Sequence, residues 1–379
     1  MADRLARLRS PGARPARPRR PRACRRLRPY RHGQARSTRA RSPRSARAAE
    51  RLVRHVSDRY LDAAPATAPV LEGAARPALY LVDASLYVFR AWHSMPDEFH
   101  DADGWPTNAV HGFARFLLDL LERERPLHIA IAFDEALDSC FRNALYPAYK
   151  ANRAPAPEEL RRQFGQCKAL CSALGLVVLA HSEYEADDLI GSALHLARAG
   201  GHRGVIVSAD KDLSQLLDEH DEQWDFARGQ RWGMAGVRAR HGVEARQIAD
   251  YLALAGDAID NIPGVPGIGA KTAAVLLAHF GSLDALLARI DEVSYLRFRG
   301  AAQAAVKLRL HREQALLCRQ LATIALDAPL AGHAPPFLRI AADGAAMLAV
   351  CEAMRFGPMT RRRLYAAAGL DFAASSLPS

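Results

Sequence analysis

Nine carboxylates in this 379-residue chain fall into short clusters whose spacing suggests chemistry. Three of them close apolar runs: Ala78-Leu-Tyr-Leu-Val-Asp83, His128-Ile-Ala-Ile-Ala-Phe-Asp134 and Gly204-Val-Ile-Val-Ser-Ala-Asp210. Glu185, Asp187 and Asp188 stand at a predicted helix start, and Asp212 follows the third run directly. Asp257 and Asp260 are spaced i, i+3, which predicts one side of a helical turn. A single Asp after a strand is commonly an N-cap or turn residue, and acids at a helix start suit the helix dipole. The whole set on one sheet edge is different. Like charges crowded there repel, and bound cations are the natural remedy. Oxygen ligands without His or Cys select a hard cation, Mg²⁺ or Mn²⁺. So many carboxylates exceed the needs of one ion. Two ions about 4 Å apart suit phosphodiester hydrolysis, one activating water and the other steadying the leaving oxygen.

The elements that must position these groups are legible from Pro77 onward. Short, wholly apolar runs read as strands buried on both faces of a parallel sheet. In open α/β sheets the site lies beyond the carboxyl ends of the strands, where these acids stand. The pattern predicts strands ending at Asp83, Asp134 and Asp210, with a short one over Leu176 to Leu179. It predicts helices around Val110 to Glu122, Glu158 to Leu174 and Ala245 to Ala255, and one directly after Asp210. From about Ala273 to Leu321 the chain reads as helical, and helical stretches around Ala345 to Met354 and Arg361 to Ala368 close it.

Two further segments carry chemistry. Gly264-Val-Pro-Gly267-Ile-Gly269-Ala-Lys271-Thr272 has the look of the hairpin in a helix-hairpin-helix. Its glycines allow close approach to a phosphate, and the helix start beyond presents free N–H groups to that anion. Phe141 to Arg153 interleaves Arg142, Lys150 and Arg153 with Tyr146 and Tyr149, which suits a single strand with phosphates on cations and bases on rings. Arg90, seven positions past Asp83, suits either a phosphate near the metals or a structural carboxylate partner.

Composition narrows the class. Residues 1–76 hold 21 Arg against five acids, roughly +16, while the whole chain is +11, so the remainder is slightly acidic. Such a segment cannot bury enough apolar surface to fold and is expected to be disordered. It fits a phosphate-gripping arm, an organelle transit peptide, or a start placed too early in a GC-rich frame. The six cysteines show no CxxC pair or zinc spacing, and Cys167 and Cys171 read as core thiols, which fits a reducing compartment. No apolar run approaches the roughly 20 residues of a membrane span.

From about Leu79 on, these motifs resemble the 5′ nuclease domain of bacterial DNA polymerase I and, more broadly, the flap endonuclease superfamily. The stretches carrying the resemblance are Leu81-Val-Asp-Ala, Phe133-Asp134, Phe141-Arg142 through Arg153, Glu185-Ala-Asp-Asp188, Ala209-Asp-Lys-Asp-Leu213, Gly256-Asp-Ala-Ile-Asp-Asn-Ile-Pro-Gly264 and Gly267-Ile-Gly-Ala-Lys-Thr272; Phe298-Arg-Gly300 and Leu321-Ala-Thr-Ile324 extend it. The resemblance implies an α/β fold: a mostly parallel central sheet with helices on both faces, a PIN-like 5′ nuclease core, a helical arch and a C-terminal helix-hairpin-helix region. It implies two or three divalent ions. Asp83, Asp134, Glu185, Asp187 and Asp188 would serve mainly the first; Asp210 would bridge; Asp212, Asp257 and Asp260 would serve mainly the second. Arg90 and Lys150 would act at the reacting phosphate, and Arg142, Tyr149 and Arg153 on the threaded strand. Gly264, Gly267, Gly269, Lys271 and Thr272 would hold duplex DNA, with a K⁺ ion. Ala84 replaces a usual Gly, His111 a common Tyr, and Glu135-Ala-Leu-Asp138 a stretch that usually holds a Lys.

The expected organisation is a basic extension over 1–76, a nuclease core over 77–255, a hairpin region over 256–325 and a C-terminal helical segment over 326–379. The expected function is Mg²⁺-dependent cleavage of DNA at 5′ ends, flaps or junctions of single and double strand. A free-standing enzyme is expected, because polymerase and proofreading segments are missing from the sequence; a monomer in the cytoplasm with no membrane contact is expected as well. A catalytically silent DNA-binding scaffold and a smaller PIN-type RNA-cutting enzyme are the alternatives. The hairpin argues against the latter, and the full carboxylate set against the former.

Overall fold

A computed structural model of the chain describes residues 76–135, 139–330, 332–333 and 335–372. The extension expected over 1–76 lies, except for Arg76, outside the described residues. Six strands form one sheet: β1 (Ala78–Asp83), β2 (His128–Asp134), β3 (Val177–His181), β4 (Arg203–Val207), β5 (Glu222–Asp225) and β6 (Gln230–Trp232). Their spatial order is β3-β2-β1-β4-β5-β6. All neighbouring pairs are parallel except the last, β5 with β6. The chain builds outward from β1 through β2 to β3, then returns to add β4 and β5 on the other side. That reversal puts a switch point at the carboxyl end of β1, where α/β sheets place their sites.

Helices α1 (Ala84–Ser94) and α2 (Asn108–Glu124) link β1 to β2, and α3 (Phe141–Leu145) and α4 (Glu158–Ala173) link β2 to β3. Helix α5 (Ala186–Ala199) joins β3 to β4, and α6 (Met234–His241) follows β6. A helical region then runs through α7 (Ile248–Ala255), α8 (Ala270–Phe280), α9 (Leu283–Ala288), α10 (Ala301–Leu310) and α11 (Arg312–Ala322). The chain ends with α12 (Gly344–Ala353) and α13 (Pro358–Ala368). Among the described residues no helix is long and apolar enough to cross a membrane.

Alternation along β1 explains why its sequence is apolar throughout. Leu79 and Leu81 enter one core with α5 and the helical region; Tyr80 and Val82 enter a second core with α1, α2 and α4. A strand covered on both faces has no polar side to show. Helices α12 and α13 cover the second core, burying Met347, Cys351, Met354, Phe356, Leu364 and Tyr365 there. Arg363 fastens α13 to α2 through Asp119 and Glu122, each at 2.7 Å. His111, in α2, stacks on Phe99, meets Phe356 edge-on, and its Nε2 lies 2.9 Å from the Met354 carbonyl. Cys167 and Cys171 are buried in the second core as free thiols.

Three elements differ from expectation. Helix α1 was not expected, although Ala84, Tyr87, Val88 and Ala91 fall on one helical face and are buried; Asp83 starts it by accepting the Leu86 N–H at 3.1 Å. The third strand ends at Val207 rather than Asp210, and a 3-10 turn (Asp212–Leu216) follows instead of an α-helix. Asp257 and Asp260 do not lie on a helical turn. Asp257 and Ile262 exchange backbone hydrogen bonds of 2.8 Å each, closing a loop in which Asn261 takes a left-handed conformation, φ 56°. The i, i+3 spacing fits a closed loop as well as a helix.

The α7–α8 connection depends on one glycine. Gly264 has φ +63°, and a Cβ there would lie 2.7 Å from the Ala255 carbonyl carbon and from Gly256 Cα. The hairpin closes on this contact, with the Val265 N–H donating 2.9 Å to the Leu254 carbonyl. Gly264→Ala is therefore expected to lower stability by about 2 kcal/mol or more in chemical denaturation. Gly269→Ala, where nothing lies within 4 Å and φ is −95°, should leave it nearly unchanged.

Candidate metal centre

The strand ends deliver the first carboxylate group. Asp83 ends β1 and is 6% exposed; its second oxygen accepts from Ser208 Oγ at 2.9 Å. Asp134 ends β2, and its Oδ1 accepts the Ala186 N–H at 2.8 Å, tying the strand end to the start of α5. Ser85 Oγ receives the Asp134 N–H at 2.9 Å, and Ser208 Oγ receives the Asp210 N–H at 3.0 Å. These two serines, one on α1 and one just past β4, fix the backbones on which the acids stand. Asp187 projects from the first turn of α5.

Burial and mutual repulsion push these acids up. Burial, then Asp134 and Asp210, raises Asp83 to about 7. Burial and then Glu185 raises Asp134. Asp187 is carried well above the carboxylate range, by burial first and then by Asp210, Asp83 and Asp134. Such upward shifts mark a place where added positive charge is favoured.

Asp212, Asp257 and Asp260 form the second group. Each offers an oxygen within 4.8 Å of the others. Burial, then Asp210, raises Asp212 to about 7, so Asp210 bears on both groups. Asp212 Oδ1 is buried and accepts no hydrogen bond. Asp257 is held below its ordinary range: burial works against this, and the Lys211 ammonium overrides it. An all-oxygen set with an unsatisfied buried lone pair suits a hard divalent cation.

Glu185 and Asp188, expected as ligands, are both paired with cations of the chain in this structure. Asp188 is wholly buried, and both of its oxygens are taken: Arg142 reaches them through Nη1 and Nη2 at 2.7 Å each, with the Ala325 and Glu185 N–H groups at 2.8 and 3.1 Å. No lone pair faces the strand ends, so Asp188 is a structural anion. Glu185 receives Arg142 Nη1 at 3.0 Å, Tyr149 Oη at 2.9 Å and Lys150 Nζ. Burial would raise it, but Lys150 and Arg142 hold it below its usual range.

The same contacts correct two expected DNA residues. Arg142 is 2% exposed and also donates to the Leu321 and Thr323 carbonyls, each at 2.9 Å. Tyr149 is 3% exposed and also donates 3.3 Å to Asp260. Both are interior groups in this structure. Lys150 Nζ lies between Glu185 and Asp260, 3.5 Å from the latter, so it touches both carboxylate neighbourhoods. Arg153, half exposed, pairs with Asp260 at 2.6 Å. Lys150 has φ 52° and faces the Asp257–Ile262 loop, its N–H donating 3.0 Å to the Asp260 carbonyl. Two of the left-handed non-glycine residues, Lys150 and Asn261, stand where the basic segment touches the second group.

Arg90 sits 3.7 Å from Asp225 at the end of β5, which makes it a carboxylate partner. In the hairpin, Gly267, Gly269 and Lys271 are exposed, Thr272 is half-buried and Gly264 is buried, so Gly264 shapes the turn and cannot touch DNA. Three contributors went unmarked in the sequence reading: Ser85, Ser208 and Lys211. Lys211 was in plain view, flanked by Asp210 and Asp212.

Comparison with known proteins decides the family. The model of the 5′-3′ exonuclease N-terminal resolvase-like domain matches residues 78–242, and that of the 5′-3′ exonuclease C-terminal SAM fold matches residues 243–340. The chain belongs to the 5′-3′ exonuclease family. Among curated relatives in this family, DNA polymerase I of Rhizobium leguminosarum is 37% identical over 291 residues, 75% of this chain. DNA polymerase I of Pseudomonas aeruginosa is 43% identical over 253 residues, 66% of this chain. The chain spans 28% of the length of each. Two solved structures share the fold. T5 5′-exonuclease with bound divalent metal ions (zinc) gives a TM-score of 0.54 at 19% identity, covering 77% of this chain and 99% of its own. The catalytic core of Rad2 in complex with DNA substrate gives 0.53 at 15%, covering 80% and 96%.

The Arg142–Asp188 pair joins α3, α5 and the 321–325 segment around one buried charge pair. Removing one partner leaves the other charge uncompensated. Arg142→Met and Asp188→Asn are each expected to cost about 3–5 kcal/mol in urea denaturation, with the double variant well short of their sum. An Arg142→Met chain of unchanged stability but weakened DNA binding would return that residue to the strand path.

Proposed function

We propose that the chain is a divalent-cation-dependent 5′ nuclease that hydrolyses DNA phosphodiester bonds at 5′ ends, flaps or junctions of single and double strand. The observation that carries this is the gathering of Asp212, Asp257 and Asp260 oxygens within 4.8 Å of one another, beside the strand-end acids Asp83 and Asp134 and the helix-start acid Asp187, which repel one another and Asp210. In this reading Asp83, Asp134, Asp187 and Asp210 would hold one Mg²⁺ or Mn²⁺, and Asp212, Asp257 and Asp260 a second. Bound cations would lower the pKa of a water and offset charge on the leaving oxygen.

The chain's own part is placement. Lys150, reaching Glu185 and Asp260, stands where a phosphate spanning both groups would meet it. Arg153 offers a second cation on the open side. The exposed Gly267-to-Lys271 turn, with α8 starting at Ala270, would present backbone N–H groups and one ammonium to a duplex phosphate. Contacts of this type position DNA without reading its bases. A K⁺ ion at that hairpin belongs to the same reading. No protein nucleophile is called for in this reading; the Ser208 hydroxyl donates to Asp83 and fixes that carboxylate. The fold neighbours, one described with divalent metal ions (zinc) and one with DNA substrate, support a divalent cation and a DNA substrate. A role in DNA replication or repair follows from the polymerases among the relatives.

A labelled 5′-flap substrate, with and without Mg²⁺, tests the proposal. The wild type should cleave only with the cation, and Asp210→Ala should cleave at least about a hundredfold more slowly while still binding the flap. Undiminished cleavage by Asp210→Ala would refute the assignment. Binding without cleavage by the wild type would support the scaffold, and preference for single-stranded RNA the PIN-type enzyme.

A pH dependence follows as well. Asp83 and Asp212 hold protons up to about pH 7 in the cation-free chain, so protons compete with a cation below that point. Mn²⁺ affinity should climb from about pH 5.5 through about 7, with proton release that shrinks as Asp83 and Asp212 ionise and persists where Asp187 still holds its proton. Calorimetry in buffers of differing ionisation heat reads both; constant affinity across this interval would contradict it.

A further inference from the structure

We propose that Lys211 is a built-in counter-ion for the second carboxylate group, one that must swing out before a divalent cation can enter. The inference rests on the two-cation reading above. Lys211 Nζ lies 2.7 Å from Asp257 Oδ2 and 3.1 Å from Asp212 Oδ1, so it touches two of the three members. The third, Asp260, is covered from the other side by Lys150 at 3.5 Å and Arg153 at 2.6 Å. Three cations thus face three carboxylates. Lys211 is the one lodged between ligand oxygens.

An ammonium and a divalent cation cannot share that space, because at such separations their repulsion is strong. The fit of the ammonium is also incomplete. Asp212 Oδ1 lies near it yet accepts no hydrogen bond, so the charge is met while the lone pair is not. A cation coordinated by that oxygen would meet both. The path out is open: the Lys211 side chain is 36% exposed, and its backbone is held at the start of the Asp212–Leu216 turn. Four flexible carbons let the ammonium move while Asp210 and Asp212 stay in place.

Two consequences follow from the charges. Without DNA, the second cation binds weakly because it must evict a lysine. With DNA, the evicted ammonium finds a phosphate within its reach, so cation entry and substrate arrival favour each other.

Mn²⁺ titration of the full chain without DNA, with free ion read by electron paramagnetic resonance, tests this. The wild type should show a tighter and a weaker class of site. Lys211→Met should tighten the weaker class by on the order of tenfold or more and leave the tighter class in place, while Lys211→Arg should stay close to wild type. A separate readout is thermal unfolding in chelator. There Lys211→Met should melt below the wild type, and Mn²⁺ should erase the difference. Should Lys211→Met not fold without a cation, Lys211→Gln, which keeps a donor for Asp257, takes its place in the same titration. Two wild-type classes with an unchanged or weaker second class in the neutral variants would overturn the counter-ion role alone. A single wild-type class would overturn the two-cation reading and this inference with it.

Discussion

Concentrated negative charge at one end of a parallel sheet is the constraint that the rest of the molecule accommodates. Strands β1 and β2 end in aspartates beside the point where the sheet topology reverses, and α5 adds more carboxylates from the side. Such a concentration is tolerable only with compensating positive charge. The chain supplies that charge in two ways. Deep inside, Arg142 neutralises Asp188 and shares Glu185, with every remaining donor on a backbone carbonyl or a sulfur. Nearer the surface, Arg153 and Lys211 are themselves partly exposed and rest on Asp260 and Asp257, while Lys150 lies deeper between Glu185 and Asp260. The inner cation is permanent framework. The outer ones sit where exchange for another cation needs no unfolding.

This division also explains how the helical region is joined to the sheet. Arg142 belongs to the β2–β3 connection, yet it holds the carbonyls of Leu321 and Thr323, while Asp188 receives the Ala325 N–H. Tyr149 and Lys150 bridge from the same connection to Asp260. The carboxylates that repel one another therefore also fasten three distant segments at one place.

Much of this was legible in the sequence, for physical reasons that can be named. An unbroken apolar run of five or six residues has few ways to be buried, so β1 and β2 and the acids ending them could be read directly. The glycine pattern around Gly264 and Gly267 announced a hairpin because few other residues accept φ near +63° or +75°. What stayed hidden depends on burial and distance along the chain. Nothing local to Phe141-Arg142 reveals that its partner lies 46 positions away and that both are sealed from water. Interleaved cations and rings suggest a solvent-facing strand path equally well. The spacing of Asp257 and Asp260 fits a helix or a closed loop, and the loop prevailed through the paired hydrogen bonds of Asp257 and Ile262. Helix α1 does carry the helical period, burying Ala84, Tyr87, Val88 and Ala91, but over only 11 residues.

Helices α12 and α13 lie beyond residue 340, where the match to the family ends, yet they roof half of the interior. Trimming the chain to the matched segment would uncover a broad oily surface on α2 and α4 and release the clasp that Arg363 makes with Asp119 and Glu122. Boundaries drawn by homology and boundaries drawn by packing are different lines here, and a fragment made for crystallisation or engineering should follow the second.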